Sequence, residues 1–129
     1  MTDPIERIAT PAVPAPAGHY AQATAWRDLV FVSGQLGPRA DGTHTAAEPF
    51  EVQARQTLSN LLAILAEAGC GPDRVVRVTA YIVGVENWPL FNRVYAELFG
   101  DAKPARTVVP VPELHHGYLV EVDAIGVRG

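Results

Sequence analysis

Between Ala54 and Val83 the apolar residues change period once, from helical to alternating, and that switch limits the folds open to this chain. Ala54, Leu58, Leu61, Leu65 and Ala68 recur at the spacing of one helix face, with Pro49 near the start and Gly69 placed to cap the end. Gln53, Gln56, Ser59, Asn60 and Glu67 supply much of the opposite side. From Arg74 onward Val76, Val78, Ala80 and Ile82 make one purely apolar strand face, whereas Arg77, Thr79 and Tyr81 make a mixed one. A helix with one apolar face next to such a strand implies a sheet covered by helices on one side. The mixed side is left to meet another subunit.

The rest of the chain extends this pattern. Pro11, Pro14 and Pro16 rule out a helix near the start and predict an extended lead-in that ends at Gly18. Residues Tyr20 to Ala25 and Leu29 to Ser33 read as a hairpin turning at Arg27-Asp28. Gly34 breaks the second strand, and Gly37-Pro38 with Asp41-Gly42 marks a loop to about Glu48, long enough to form a lid or rim. A second helix is predicted from about Asn87 to Phe99, with Trp88, Phe91, Tyr95 and Leu98 on one stripe and Gly100 as its stop. Strands follow from Arg106 to Val111 and Tyr118 to Val127, separated by Pro110, Pro112 and His115-His116-Gly117. The expected order is β-β-β-α-β-α-β-β in one domain, residues 1–129, with a mixed sheet and two helices on one face, an α+β architecture. Since 48% of the residues are hydrophobic, oligomerisation is an expected way to cover the second face.

Charge and cysteine usage exclude several functions. Acidic residues outnumber Lys and Arg by 14 to 10, and the arginines are scattered, which opposes attraction to a nucleic-acid backbone. The start, Met1 to Glu6, lacks a basic segment followed by an apolar run, and no apolar stretch is long enough to span a bilayer. A cytoplasmic protein without membrane or nucleic-acid partners is expected. The single Cys70 agrees with a reducing compartment and has no activating neighbour in the sequence.

Two charges stand out because each interrupts an otherwise apolar strand: Arg106 in Pro104-Ala105-Arg106-Thr107-Val108-Val109, and Glu121 in Leu119-Val120-Glu121-Val122-Asp123-Ala124. A guanidinium grips a carboxylate by two parallel hydrogen bonds, and a Glu can orient or activate water. From these residues alone an ion pair or two exposed strand ends remain open as readings. Glu121 and Asp123 share a strand face, so they are either an acid–base pair or two solvated acids. His115 and His116 are adjacent, should point apart on an extended chain and lack a third ligand at a recognisable spacing, so no metal site is expected. His19 and His44 read as loop or surface residues. No nucleophile elbow, phosphate loop or dinucleotide fingerprint is present.

Six fragments in order, Gly18-His19-Tyr20-Ala21-Gln22-Ala23, Val32-Ser33-Gly34-Gln35, Gln56-Thr57-Leu58-Ser59-Asn60, Phe91-Asn92-Arg93-Val94-Tyr95, Pro104-Ala105-Arg106 and Val120-Glu121-Val122-Asp123-Ala124, resemble the signature of the RidA/YjgF family. The resemblance covers nearly the whole chain. It implies a chorismate-mutase-like α+β fold, a homotrimer with clefts between subunits, and cofactor-free hydrolytic deamination of enamine/imine intermediates such as 2-aminoacrylate. On this resemblance the chain is a 2-iminobutanoate/2-iminopropanoate deaminase-like hydrolase acting on a small imino acid. Arg106 matches the arginine that grips the substrate carboxylate and Glu121 the acid associated with the attacking water. Tyr20, Ser33, Gly34 and Asn92 match substrate-binding positions.

Three departures fall around the expected cleft: His19 where the best-studied deaminases have Pro, Val108 where they carry Cys, and His115 in place of the Pro of a Leu-Pro turn. They leave open a pathway-dedicated deaminase for a larger or ring-derived enamine, or a trimeric module that binds a small carboxylate or a partner without chemistry. A ribonuclease, the third reading, is opposed by the acidic balance.

Overall fold

The computed structural model describes residues 3–129; Met1 and Thr2, part of the segment read for a secretory signal, lie outside the described residues. The strands are β1 (Glu6–Ile8), β2 (Ala23–Trp26), β3 (Leu29–Gln35), β4 (Val75–Val83), β5 (Ala105–Val111) and β6 (Val120–Val127), and the helices are α1 (Phe50–Glu67) and α2 (Trp88–Phe99). They form a six-stranded mixed sheet in the order β1-β2-β3-β6-β4-β5, antiparallel throughout except for the β4–β5 pair. Because β4 and β5 are parallel, the chain must cross over between them, and α2 is that crossover. No described helix is long and apolar enough to cross a membrane.

The core lies between one sheet face and the two helices. Val30, Val78, Ala80, Ile82, Val120 and Val122 from the sheet meet Ala54, Leu58, Leu61, Ile64, Leu65, Phe91 and Val94 from the helices, all fully buried or nearly so. Helix α1 stops where expected. Gly69 adopts φ +82°, and Cys70 N–H returns to the Leu65 carbonyl at 2.9 Å, a turn that favours glycine. The buried Cys70 thiol is pushed up from its ordinary pKa by desolvation, which makes it a poor nucleophile.

Four local expectations require correction. The amino-terminal strand precedes the proline segment, and β2 begins at Ala23, so Tyr20 sits in a loop. Prolines donate no N–H, and the buried Gln22 amide ties the segment down instead. Its Oε1 accepts Thr10 N–H at 2.7 Å and its Nε2 donates to the Thr10, Val13 and Pro14 carbonyls. In β4 a bulge between Val75 and Arg77 shifts the alternation, so Val75 is buried and Val76 is 49% exposed. Strand β3 continues through Gly34 to Gln35, again across an irregularity in register.

The fourth correction concerns the supposedly polar side of α1, where Gln53, Thr57 and Asn60 are buried. The loop from Leu36 to Pro49 folds over this side, and its backbone groups need partners. Gln53 Nε2 donates to the Ala46 and Glu48 carbonyls, while Gln53 Oε1 accepts Leu119 N–H at 2.9 Å. Asn60 Nδ2 donates to the Leu36 and Pro38 carbonyls. Replacing Gln53 with Ala leaves three part-buried backbone groups without their partner and removes a buried side chain, and should cost about 2–4 kcal/mol. Thermal unfolding should show a fall of roughly 10 °C, against almost none for Ser59→Ala on the exposed flank.

The other sheet face carries no helix. Trp26, Leu29 and Phe31 are 39%, 36% and 40% exposed, and they adjoin the half-buried Ile125 and Val127 in register across β2, β3 and β6.

Candidate active site

Where β3 and β6 run side by side on the open face, a cavity of about 590 Å³ opens. Tyr20, Ser33, Gly34 and Glu121 all line it, so four of the six sequence-predicted site residues come together there. Ser33 lies inside β3, and its hydroxyl donates to the Ala21 carbonyl at 2.7 Å, which leaves its oxygen able to accept.

Gly34 is required for space. A Cβ added there would stand 2.7 Å from Glu121 Oε2, with the Glu121 carboxyl carbon at 3.3 Å. The carboxylate thus lies directly against the strand backbone. Because the obstructed atom is the end of a flexible side chain, Gly34→Ala should fold normally yet turn the Glu121 carboxylate away. Turnover should fall by about 10-fold or more with little change in melting temperature, a misplacement effect visible by comparing steady-state kinetics with a thermal melt.

Burial raises the Glu121 pKa above the ordinary carboxylate value, the neighbouring Asp123 raises it further, and His115 opposes them. Asp123 is also raised, chiefly by desolvation, with the Tyr81 hydroxyl donating to it at 3.4 Å and Arg77 pulling the other way. Two acids on one face, one beside the cavity, make Glu121 a base held closer to neutrality than a solvated Glu.

Arg106 and Asn92 are elsewhere. Arg106 pairs with Val78, Val108 with the buried Ala80, and residues side by side in register share a sheet face, so Arg106 is on the helix side. Glu121 pairs with Tyr81, three residues from Val78, and is on the open side. Within one chain the two charges therefore occupy opposite faces. Neither joins the other in an ion pair.

The guanidinium instead lies over the rings of α2, with Arg106 Cζ 4.8 Å from the Tyr95 centroid and 5.9 Å from that of Phe91. Among the described residues it has no carboxylate within ion-pair distance. Tyr95 Oη is buried without a partner, and burial pushes its pKa up to about 12 against the pull of Arg106. Asn92 is exposed one helical turn before Tyr95. An unpaired guanidinium steadied by aromatic faces is a ready anion-binding group.

The sequence reading missed a ring cluster on the cavity wall. His115 and His116 do not point apart: their centroids are 3.8 Å apart, because residues 115–117 form a 3₁₀ turn in which His116 adopts φ +60°. His44 joins them, 4.7 Å from His116, and its Nδ1 lies 2.7 Å from the Tyr118 hydroxyl. That hydroxyl also accepts Thr45 N–H at 3.2 Å. The adjacent histidines were the visible signal, and only the folded loop brings His44 to them. Among the described residues no group of three His, Cys, Asp or Glu side chains is placed to hold a metal ion.

Architecture and cavity together define an α+β protein of chorismate-mutase-like fold with an acid-bearing pocket on its uncovered face. The chain belongs to the RidA/YjgF family: the endoribonuclease L-PSP family model matches residues 10–128. A RutC family protein of Synechocystis is 38% identical over 122 residues, covering 93% of this chain and 94% of that protein. The 2-iminobutanoate/2-iminopropanoate deaminase of Bos taurus is 34% identical over 122 residues, covering 95% of this chain and 89% of that enzyme. Among solved structures, a protein of the conserved Rid family from Yersinia pestis superimposes with a TM-score of 0.91 at 33% identity, covering 96% of this chain and 99% of that one.

Proposed function

We propose that this protein hydrolyses reactive 2-imino acids and their enamine tautomers, of the 2-aminoacrylate type, to 2-keto acids and ammonia. Family membership and similarity to 2-iminobutanoate/2-iminopropanoate deaminases support imine deamination as the class. The observation that carries the reading is the Glu121 carboxylate, half-buried in a cavity beside Tyr20, Ser33 and Gly34, with its pKa raised.

An imine carbon is already electrophilic, so the protein need only hold the substrate, place a water and move protons. Glu121 takes a proton from the attacking water as the C–O bond forms. The nitrogen is protonated as the C–N bond breaks and leaves as ammonia. The Ser33 hydroxyl oxygen and the Tyr20 side chain border the bound substrate, and Arg106 grips its carboxylate. No cofactor enters this scheme.

Arg106 and Glu121 occupy opposite faces of one sheet, so a site using both takes them from two subunits. The exposed Trp26, Leu29 and Phe31 supply an apolar surface for such an assembly, and a homotrimer is the arrangement the family resemblance implies. The test is ammonia and keto-acid release when an amino-acid oxidase generates imines in situ. Acceleration over buffer supports the reading, and no acceleration across a panel of imines overturns it.

A further inference from the structure

Phe91, Tyr95 and Phe99 recur every fourth residue along α2, so their rings form one column on the helix. Tyr95 is the middle ring. It stacks on Phe99 with centroids 4.3 Å apart and planes 16° apart, and it lies tilted against Phe91 at 5.7 Å. All three are buried, so the middle ring is fixed by its neighbours. The Arg106 guanidinium lies nearer to Tyr95 than to Phe91, well within the roughly 6 Å over which an aromatic face attracts a cation.

Arg106 reaches that ring from β5, an edge strand paired on one side only. A long side chain at an edge needs something to fix its rotamer. An acid partner would fix it but would also neutralise its charge and occupy its N–H fork. An aromatic face attracts the cation without neutralising it, and leaves the fork for a carboxylate. Burial pushes the Tyr95 pKa up to about 12, so the ring stays a neutral phenol near neutral pH. Its hydroxyl is buried without a partner among the described residues, which leaves the ring face as the part that meets Arg106.

Resting on the reading in which Arg106 grips the substrate carboxylate, we propose that Tyr95 is a positioning residue whose ring face holds the guanidinium in place for that anion. The test reads calorimetric binding of 2-ketobutanoate, the keto acid formed from 2-iminobutanoate, alongside steady-state kinetics on the imine. Tyr95→Leu should weaken keto-acid binding and raise KM by about 3- to 30-fold, the equivalent of a lost cation–π contact, with a much smaller change in kcat. A loss of folded protein alone would lower the apparent kcat and leave Kd and KM in place. Tyr95→Met, whose flexible side chain fills core gaps, should behave as Tyr95→Leu does and serves if that variant does not fold. Tyr95→Phe keeps the ring and should retain wild-type affinity. In an Arg106→Gln background, Tyr95→Leu should have no further effect, because the residue acts through the guanidinium.

Wild-type affinity in both Tyr95→Leu and Tyr95→Met, an equal loss in Tyr95→Phe, or the same loss in the Arg106→Gln background overturns the assignment. If no imine is hydrolysed while 2-ketobutanoate binding falls in Tyr95→Leu and survives in Tyr95→Phe, the deaminase reading fails and the role of Tyr95 stands. If 2-ketobutanoate binds Arg106→Gln as tightly as the wild type, Arg106 holds no carboxylate and the proposal fails whatever the turnover.

Discussion

Glu121→Gln should lower kcat for imine hydrolysis by about 10²- to 10⁴-fold, the usual contribution of a positioned general base. The amide is nearly isosteric with the carboxylate and can occupy the same place against Gly34, so folding and ligand binding should survive. A loss confined to KM would instead identify Glu121 as a binding group without a chemical role.

The pH dependence supplies a second readout. Glu121 acts as a base only when ionised, so kcat/KM should rise with pH through the pKa of Glu121 in the free enzyme. Burial and Asp123 both raise that pKa, which places the acid limb above the ordinary Glu value. Asp123→Asn removes the like charge, lowers the Glu121 pKa and should move the limb to lower pH. A limb that stays in place would assign the titration to another group.

Arg106→Ala is the second large effect. Removing one member of a buried, charge-assisted carboxylate clamp costs about 2–5 kcal/mol, or roughly 30- to several-thousand-fold in kcat/KM. The fold should tolerate the change, because Arg106 lies on the edge strand β5 and makes no ion pair within the described residues.

The opposite placement of Arg106 and Glu121 gives this variant a sharper use. If each site takes the guanidinium from one subunit and the carboxylate from another, Arg106→Ala and Glu121→Gln chains are each nearly inactive alone. Co-expressed in equal amounts, they should rebuild intact sites at about a quarter of wild-type activity, since random mixing supplies the right chain on each side half the time. Absence of recovery in verified mixed oligomers would show that the two residues do not cooperate across an interface.

Much of this molecule was legible in the chain. Both helices announce themselves by period and glycine stops. The alternation of β6 puts Glu121 and Asp123 on one face, and the six ordered fragments carry the family. The polar residues were harder to read. Gln53 and Asn60 look solvent-facing on a helical wheel, and they are buried because a loop with unpaired carbonyls lies over them. A bulge reassigns Val75 and Val76, and local sequence alone did not reveal it.

The sequence by itself determined the elements, the apolar faces and the two charges that a site would use, because these follow from local periodicity and side-chain chemistry. Only the tertiary structure decided where those groups meet. Parallel pairing of β5 with β4 puts Arg106 beside Val78 on the helix side, whereas antiparallel pairing of β6 with β4 puts Glu121 beside Tyr81 on the open side. The left-handed turn at His116 stacks two adjacent imidazoles beside that of His44, more than seventy residues earlier in the chain. Strand register and loop closure are long-range properties, and they set both the division of the candidate site and the shape of its pocket.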